Sequence, residues 1–105
     1  MVRGEILRLP APRRPRGHVQ AGPRLGVVVQ ADHLMGLSTV LLAPTSTSAR
    51  PASFRPVIEV AGVTTRVLVE QTRAVDPQRL GPSVGRLAAH ELAAVDDALL
   101  VMLDL

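Results

Sequence analysis

Three short runs of aliphatic residues are the feature that most constrains the fold of this chain. They lie at Val27–Val29, Val40–Leu42 and Val67–Val69, and each is apolar at every position. A run of this length without alternating polar residues is typical of a buried strand. We therefore predict that all three runs are strands and that the first is buried on both faces.

Each run borders a polar segment. Residues 13–24 form a basic loop before the first run, the second run leads into the hydroxyl cluster Thr45–Ser48, and the third ends at Glu70 and Gln71. Cations and hydroxyls at the ends of adjacent strands are suited to binding a phosphodiester and to stabilising charge on it.

Charge is distributed unevenly along the chain. Six of the twelve arginines lie in residues 1–24, where Glu5 is the one anion, whereas residues 91–105 hold four carboxylates and no cation. A basic N-terminal part is the footprint expected of a protein that binds nucleic acid or an acidic peptide.

The composition limits the size and chemistry of the core. With 105 residues, 47% of them hydrophobic, the chain is expected to form one domain that spans residues 1–105. Phe54 is the single aromatic residue, so the core must be aliphatic and small. Pairing into a homodimer would add buried surface to such a core, and we expect it.

The composition also argues against several kinds of site. No cysteine is present, which excludes disulfides and cysteine-ligated zinc. His18, His33 and His90 lack the spacing of metal ligands, so neither a metal nor another cofactor is expected. Because no apolar stretch reaches about 20 residues and charges interrupt the first ten, we expect no membrane span, no signal peptide and a cytoplasmic location.

Local patterns predict several short strands and one helix. The helix, at about 88–103, follows from the helical spacing of Leu92, Val95, Leu99 and Met102 or Leu103, and the absence of a capping side chain at Ala88 should cost about 1 kcal/mol. Together these elements predict a mainly β protein, a small barrel with a C-terminal α-helix. The strands are predicted at 3–9, 25–31, 39–43, 54–60, 66–71 and 84–87, with loops at 10–22 and 44–53, a turn at 32–37 and another at Ala61–Gly62.

Six fragments, in this order and spacing, resemble the MazF/PemK family of toxin endoribonucleases. The resemblance covers essentially the whole chain, although each fragment alone is a weak signal. The fragments are Arg3–Ile6, Gly17–Arg24, Val27–Asp32, Ala43–Ser46, Leu68–Asp76 and Gly85–Leu99.

The resemblance implies a fold, an activity and two partners. The fold is an SH3-like β-barrel with a C-terminal helix, as in MazF, CcdB and Kid, assembled as a homodimer. The activity is that of a type II toxin: metal-independent, sequence-specific cleavage of single-stranded RNA (mRNA, or alternatively rRNA or tRNA) to 2′,3′-cyclic phosphate and 5′-hydroxyl ends. The first partner is the single-stranded RNA. The second is a cognate antitoxin of the MazE kind, whose acidic C-terminal segment blocks the RNA groove.

The resemblance also assigns roles to residues. Arg24 and Ser46 match the catalytic positions, and since an arginine pKa above about 12 makes a poor base, Arg24 is expected to stabilise charge. The unperturbed pKa of a histidine, near 6.5, would suit a general acid or base, and glutamine amides can read base edges. The expected substrate-binding residues are His18, Gln20, Thr47, Gln71 and Arg16, and Glu70 is expected to pair with Arg24 or Arg73.

Four positions depart from the family pattern. Val19 stands where the family has Glu, Leu25 where it has Pro, Leu7 where it usually has an aromatic residue, and Ser46 where it most often has Thr. Two alternatives to an active nuclease therefore remain open. One is a weakened or inactive member that only binds antitoxin or RNA, and the other is a gyrase poison of the CcdB type, which would use the end of the helix rather than Arg24 and Ser46.

Overall fold

A computed structural model describes residues 1–10 and 24–105, which form one antiparallel sheet and a C-terminal helix. The helix is α1 (Ala89–Leu103), and short 3-10 turns occupy Asp32–Leu34, Val69–Gln71 and Pro77–Arg79. The strands are β1 (Glu5–Arg8), β2 (Leu25–Val28), β3 (Val40–Ser46), β4 (Val57–Val60), β5 (Val63–Val67), β6 (Arg73–Val75) and β7 (Ser83–Arg86).

Strand β3 is the centre of the sheet. The strands are ordered β4-β5-β3-β2-β1-β7, and β6 also pairs with β3. One edge of β3 therefore pairs with β2, while its other edge pairs first with β6 and then, nearer its end, with β5. The sheet curls into a half-barrel with one closing helix, which confirms the predicted mainly β fold.

Both faces of the central strands are buried in aliphatic clusters. We call the larger one, which includes residues of α1, the helix-side core: Ile6, Val27, Val29, Ala43, Ile58, Val60, Val67, Val69, Val95 and Ala98. The outer core, on the opposite face, contains Leu7, Leu9, Val28, Val40 and Leu42. Because neighbouring residues of a strand face opposite ways, burial on both faces requires apolar side chains at every position, as the sequence of β2 predicts.

The structure differs from the prediction at two strand boundaries and in one additional strand. The loop expected from Pro44 begins later, since β3 continues to Ser46 and the Pro44 carbonyl accepts a hydrogen bond from Leu68 N at 2.8 Å. The strand expected at 66–71 ends at Val67, where the chain enters the 3-10 turn Val69–Gln71. Strand β6 was not predicted, because three residues are too few to show a pattern.

The hairpin between β4 and β5 closes at the predicted turn. Ala61 and Gly62 both have positive φ, 51° and 79°, and the flanking residues Val60 and Val63 are paired. Two successive positive φ angles are the signature of a type I′ turn, whose twist matches that of the strands that it joins. The turn fixes the register of β5, and therefore the position of Arg66 on it.

The helix follows the prediction in extent, and Val95 of the predicted apolar stripe is fully buried, but the rest of its buried face differs. Glu91, which the stripe did not include, is buried, whereas Met102 and Leu103 at the end of the stripe are exposed. Glu91 Oε1 accepts a hydrogen bond from Ala88 N at 2.8 Å, and its Oε2 accepts one from Glu59 N at 2.8 Å. The carboxylate thus partly replaces the missing cap and ties the start of α1 to β4.

We expect Glu91→Ala to destabilise the protein by about 2–3 kcal/mol, because it leaves two backbone donors without their acceptors. Glu91→Gln should cost less, about 1 kcal/mol, since one carbonyl oxygen remains. Urea unfolding followed by far-UV circular dichroism, at one protein concentration, measures both. Asp97→Ala, at an exposed acid on the same helix, is the matched control, and equal midpoints for Glu91→Ala and Asp97→Ala would contradict this role.

Candidate functional site

The sheet register relates the two predicted catalytic residues by extrapolation. The β2–β3 ladder ends where Gly26 pairs with Pro44, and the same register extended by two residues would set Arg24, which directly precedes β2, opposite Ser46. Residues opposite each other in an antiparallel pair lie on the same face of the sheet. This face is that of the outer core, so Arg24 and Ser46 share a surface at the end of β3.

The backbone of Arg24 is held by β1. Leu9 N donates a hydrogen bond to the Arg24 carbonyl at 2.8 Å, which extends the β1–β2 ladder by one residue. The Leu9 side chain packs over Gly26, where an added Cβ would lie 2.9 Å from Leu9 Cδ2. Arg24 therefore leaves a fixed strand end, although Leu25 does not restrict the backbone as the family's proline would.

The hydroxyl on the Arg24 side of the sheet belongs to Ser46, the last residue of β3. Its Oγ lies 3.3 Å from Ser48 Oγ and accepts a hydrogen bond from Ser48 N at 3.3 Å. Thr45 points to the opposite face, where its Oγ1 donates to the Leu25 carbonyl at 3.5 Å. Thr47 is exposed just beyond the strand end, so of these three residues Ser46 stands in the row of Arg24.

A second arginine, which sequence reasoning missed, stands on the other side of Ser46. In the β3–β5 ladder Ser46 pairs directly with Arg66. Ser46 thus lies opposite Arg66 on β5 and, on the extended β2–β3 register, opposite Arg24, which directly precedes β2. In the sequence, Arg66 lies within a run of β-branched residues. Its neighbours Thr65 and Val67 are buried, so the Arg66 side chain lies on the opposite face of β5. No local sequence pattern indicates that Arg66 pairs with Ser46.

Next to this row lies an ion pair that differs from the expected one. Glu70 pairs with Arg55, whose Nε donates to Glu70 Oε2 at 2.8 Å, and not with Arg24 or Arg73. The reason is that Glu70 lies in the 3-10 turn and not on a strand. Arg55 also donates through Nη1 to the Arg50 carbonyl, and its own carbonyl accepts from Arg66 Nη1 at 2.9 Å.

The remaining predicted substrate-binding residues are separated from this row or lie outside the described part. Gln71 is exposed at the end of the 3-10 turn between β5 and β6, both of which pair with β3. His18, Gln20 and Arg16 fall outside residues 1–10 and 24–105, and so does Val19. The two described residues that flank that segment, Pro10 and Arg24, lie at the same end of the β1–β2 pair.

The charges of the site are arranged for an anion. Arg66 has no ion pair with a carboxylate in the part of the chain that the structure describes, whereas the charge of Arg55 is balanced by Glu70. Arginine guanidinium groups and a hydroxyl on one face of a sheet can bind a phosphodiester and stabilise additional charge on it. Within the same described ranges, no group of three or more His, Asp or Glu residues could hold a metal ion.

Comparison with known proteins identifies the class. The profile of the PemK-like, MazF-like toxins of type II toxin–antitoxin systems matches residues 2–103. The toxin candidate Rv3098A from Mycobacterium tuberculosis is 40% identical over 99 residues, which cover 93% of this chain and 92% of that protein.

Solved structures show the same fold. A mycobacterial endoribonuclease in complex with its cognate antitoxin superposes with a TM-score of 0.80 at 17% identity, covering 100% of this chain and 96% of that one. MazF from Deinococcus radiodurans gives a TM-score of 0.78 at 23% identity, covering 100% and 97%.

The chain belongs to the PemK/MazF family of type II toxins, as its sequence fragments indicate. Its half-barrel and single C-terminal helix are those of the MazF structures. No helix within residues 1–10 and 24–105 is both long and apolar enough to span a membrane.

Proposed function

We propose that this protein is an endoribonuclease toxin that cleaves single-stranded RNA at short sequence motifs in the cytoplasm. The observation that supports the proposal is the β2–β3 register, which, extended by two residues beyond Gly26–Pro44, would align Arg24 with Ser46 at the end of β3. The family supplies the reaction class, and two of its structural neighbours are an endoribonuclease and MazF. The cleaved RNA is mRNA, or alternatively rRNA or tRNA.

The reaction that suits this site uses the RNA's own 2′-hydroxyl. The 2′-oxygen attacks the adjacent phosphorus, the P–O5′ bond breaks, and the products are a 2′,3′-cyclic phosphate and a 5′-hydroxyl. A base takes the proton of the 2′-hydroxyl, and an acid delivers one to the 5′-oxygen. Arg24 would stabilise charge on the phosphorane, Ser46 would hydrogen-bond one of its oxygens, and the imidazole of His18 would move a proton.

The other proposed contacts bind the substrate. Gln20 and Gln71 would hydrogen-bond base edges or phosphates, Thr47 would contribute a hydroxyl beside Ser46, and Arg16 would add a phosphate contact. Val19 and Leu25 favour a second candidate, a family member that binds RNA or antitoxin without cutting. The cleavage assay below separates the two candidates.

We expect the purified protein to cleave a long single-stranded RNA in the presence of EDTA, because no step of the proposed reaction needs a metal. The products should carry 2′,3′-cyclic phosphate and 5′-hydroxyl ends, detected by end-labelling and mass spectrometry. Binding of RNA without cleavage would support the inactive alternative. Cleavage that EDTA abolishes would contradict the metal-free mechanism.

Substitutions in the same assay assign the cleavage to this site. Arg24→Ala should lower the rate by roughly 10²–10³, the usual effect of losing one preorganised donor at a developing oxyanion, and Ser46→Ala should also lower it. Arg13→Ala and Arg16→Ala should weaken RNA binding and its salt dependence while leaving turnover largely intact. Equal rate losses for Arg13→Ala, Arg16→Ala and Arg24→Ala would leave Arg24 without a special role.

We also propose that the protein is a homodimer. The end of α1 and the residues after it expose five large apolar side chains to solvent, with exposed fractions from 36% to 83%: Leu100, Val101, Met102, Leu103 and Leu105. A helix end that is apolar on all sides is normally covered. A second copy would cover it and would enlarge an aliphatic core that is small for a chain of this length.

Light scattering at micromolar concentration should therefore give about twice the chain mass of 11.2 kDa. Val101→Glu should shift the protein towards the monomer, because Val101 is 67% exposed in the single chain and the new charge would be buried in the pair. Ala93→Glu, on an exposed earlier turn of the same helix, is the control. A monomeric wild type that cleaves RNA would contradict the dimer.

The second proposed partner is a cognate antitoxin of the MazE kind with an acidic C-terminal segment. Carboxylates bind arginine as phosphates do, so such a segment, disordered until bound, could occupy the site of Arg24 and Arg66. An apolar anchor on the same segment would dock on exposed aliphatic surface. The antitoxin and RNA would then compete for one groove.

We expect competitive inhibition by the antitoxin, and we expect added salt to weaken RNA binding more than antitoxin binding, because salt does not screen the apolar anchor. A competition titration at two salt concentrations measures both effects. Simultaneous binding of RNA and antitoxin, with neither changing the affinity of the other, would refute the shared groove.

A further inference from the structure

Arg66 is the least explained charge of the site. It is half-buried on β5, directly paired with Ser46 and on the same face of the sheet. Its Nη1 donates to the Arg55 carbonyl at 2.9 Å, a neutral acceptor that leaves the cationic charge uncompensated. Glu70, the nearby acid of the 3-10 turn, is engaged by Arg55 instead.

The geometry of the row separates the two cations by a fixed interval. Neighbouring strands lie about 4.8 Å apart, so the Cα atoms of Arg24 and Arg66, two strands apart, are separated by about 10 Å with Ser46 between them. The hydrogen bond to Arg55 holds the Arg66 guanidinium on its own side of Ser46. The two arginines therefore present charge to two places along a bound strand.

We propose that Arg66 binds the phosphate adjacent to the scissile one, and so holds the RNA backbone across Ser46. The inference rests on the proposed function, since it presumes that RNA is the ligand of this face. Its role differs from that of Arg24, because Arg66 contacts a group that carries the same charge before and during the reaction. Such uniform binding lowers KM and leaves kcat unchanged.

The test measures phosphate contact without cleavage. The probe is a pool of random-sequence, single-stranded RNA with 2′-methoxy groups, which lacks the nucleophile and averages over base contacts. Each phosphate contact on a single strand contributes about 0.7 to the slope of log K against log salt. Arg66→Gln should reduce that slope by about 0.7, which corresponds to about fivefold weaker binding at 0.1 M salt if the two lines meet near 1 M.

Two further variants separate a phosphate contact from a structural role. Arg66→Lys keeps the charge and should retain the slope, even if the hydrogen bond to the Arg55 carbonyl is lost. Arg86→Gln removes a charge from β7, beyond β1 and β2 from Ser46, and should leave the slope unchanged. On cleavable RNA, Arg66→Gln should raise KM with little change in kcat, in contrast to Arg24→Ala.

Each result decides the proposal. A slope that falls in Arg66→Gln and persists in Arg66→Lys supports it, whether or not the wild type cuts RNA. Three results would overturn it: an unchanged slope in Arg66→Gln, an equal loss of slope in Arg66→Lys, or a fall in kcat at constant KM in Arg66→Gln. In each case, cleavage of RNA by the wild type would still support the proposed function. A wild type that neither binds nor cuts RNA overturns both.

Discussion

The backbone hydrogen bonds on both edges of β3 are the constraint on which the rest of the structure depends. This strand is seven residues long. It pairs with β2 along one edge and with β6 and β5 along the other, and its two faces pack into separate aliphatic cores. A strand held on every side cannot shift its register without exposing apolar residues. Whatever stands at its end is therefore positioned by the whole sheet, and Ser46 is the residue that stands there.

The sequence predicted those parts of the fold that local patterns encode. Apolar runs located β2 and β3, and helical spacing located α1 almost to the residue. Pairing between distant segments is not encoded locally, and so Arg66 and the Arg55–Glu70 ion pair were missed, while the roles of Arg24 and Ser46 come from the family resemblance and stay a prediction. Glu91 shows the same limit, because its burial depends on a backbone donor 32 residues away.

Two arginines of the same site face different electrostatic conditions. The charge of Arg55 is balanced by Glu70, and its remaining donor bonds a carbonyl, so it fixes the loop before β4 to the 3-10 turn. Arg66 hydrogen-bonds that fixed loop through a carbonyl, which orients its guanidinium without balancing its charge. An arginine whose charge is balanced by a carboxylate can thus hold in place a second arginine whose charge is not. In this way a small protein can orient a cation towards a ligand without burying an unpaired charge.

The near-absence of aromatic residues has a consequence for base recognition. Proteins that bind single-stranded RNA commonly stack bases on aromatic rings. Phe54 is the one residue of the Phe, Tyr and Trp type in this chain, and the Arg55 guanidinium already lies over its ring, 5.4 Å from the centroid. A strand of RNA at this site would have to be read through hydrogen bonds to base edges and through stacking on guanidinium planes. Discrimination between bases would then depend on the shape of the cleft and on the path of the sugar–phosphate chain, rather than on a sandwich of rings.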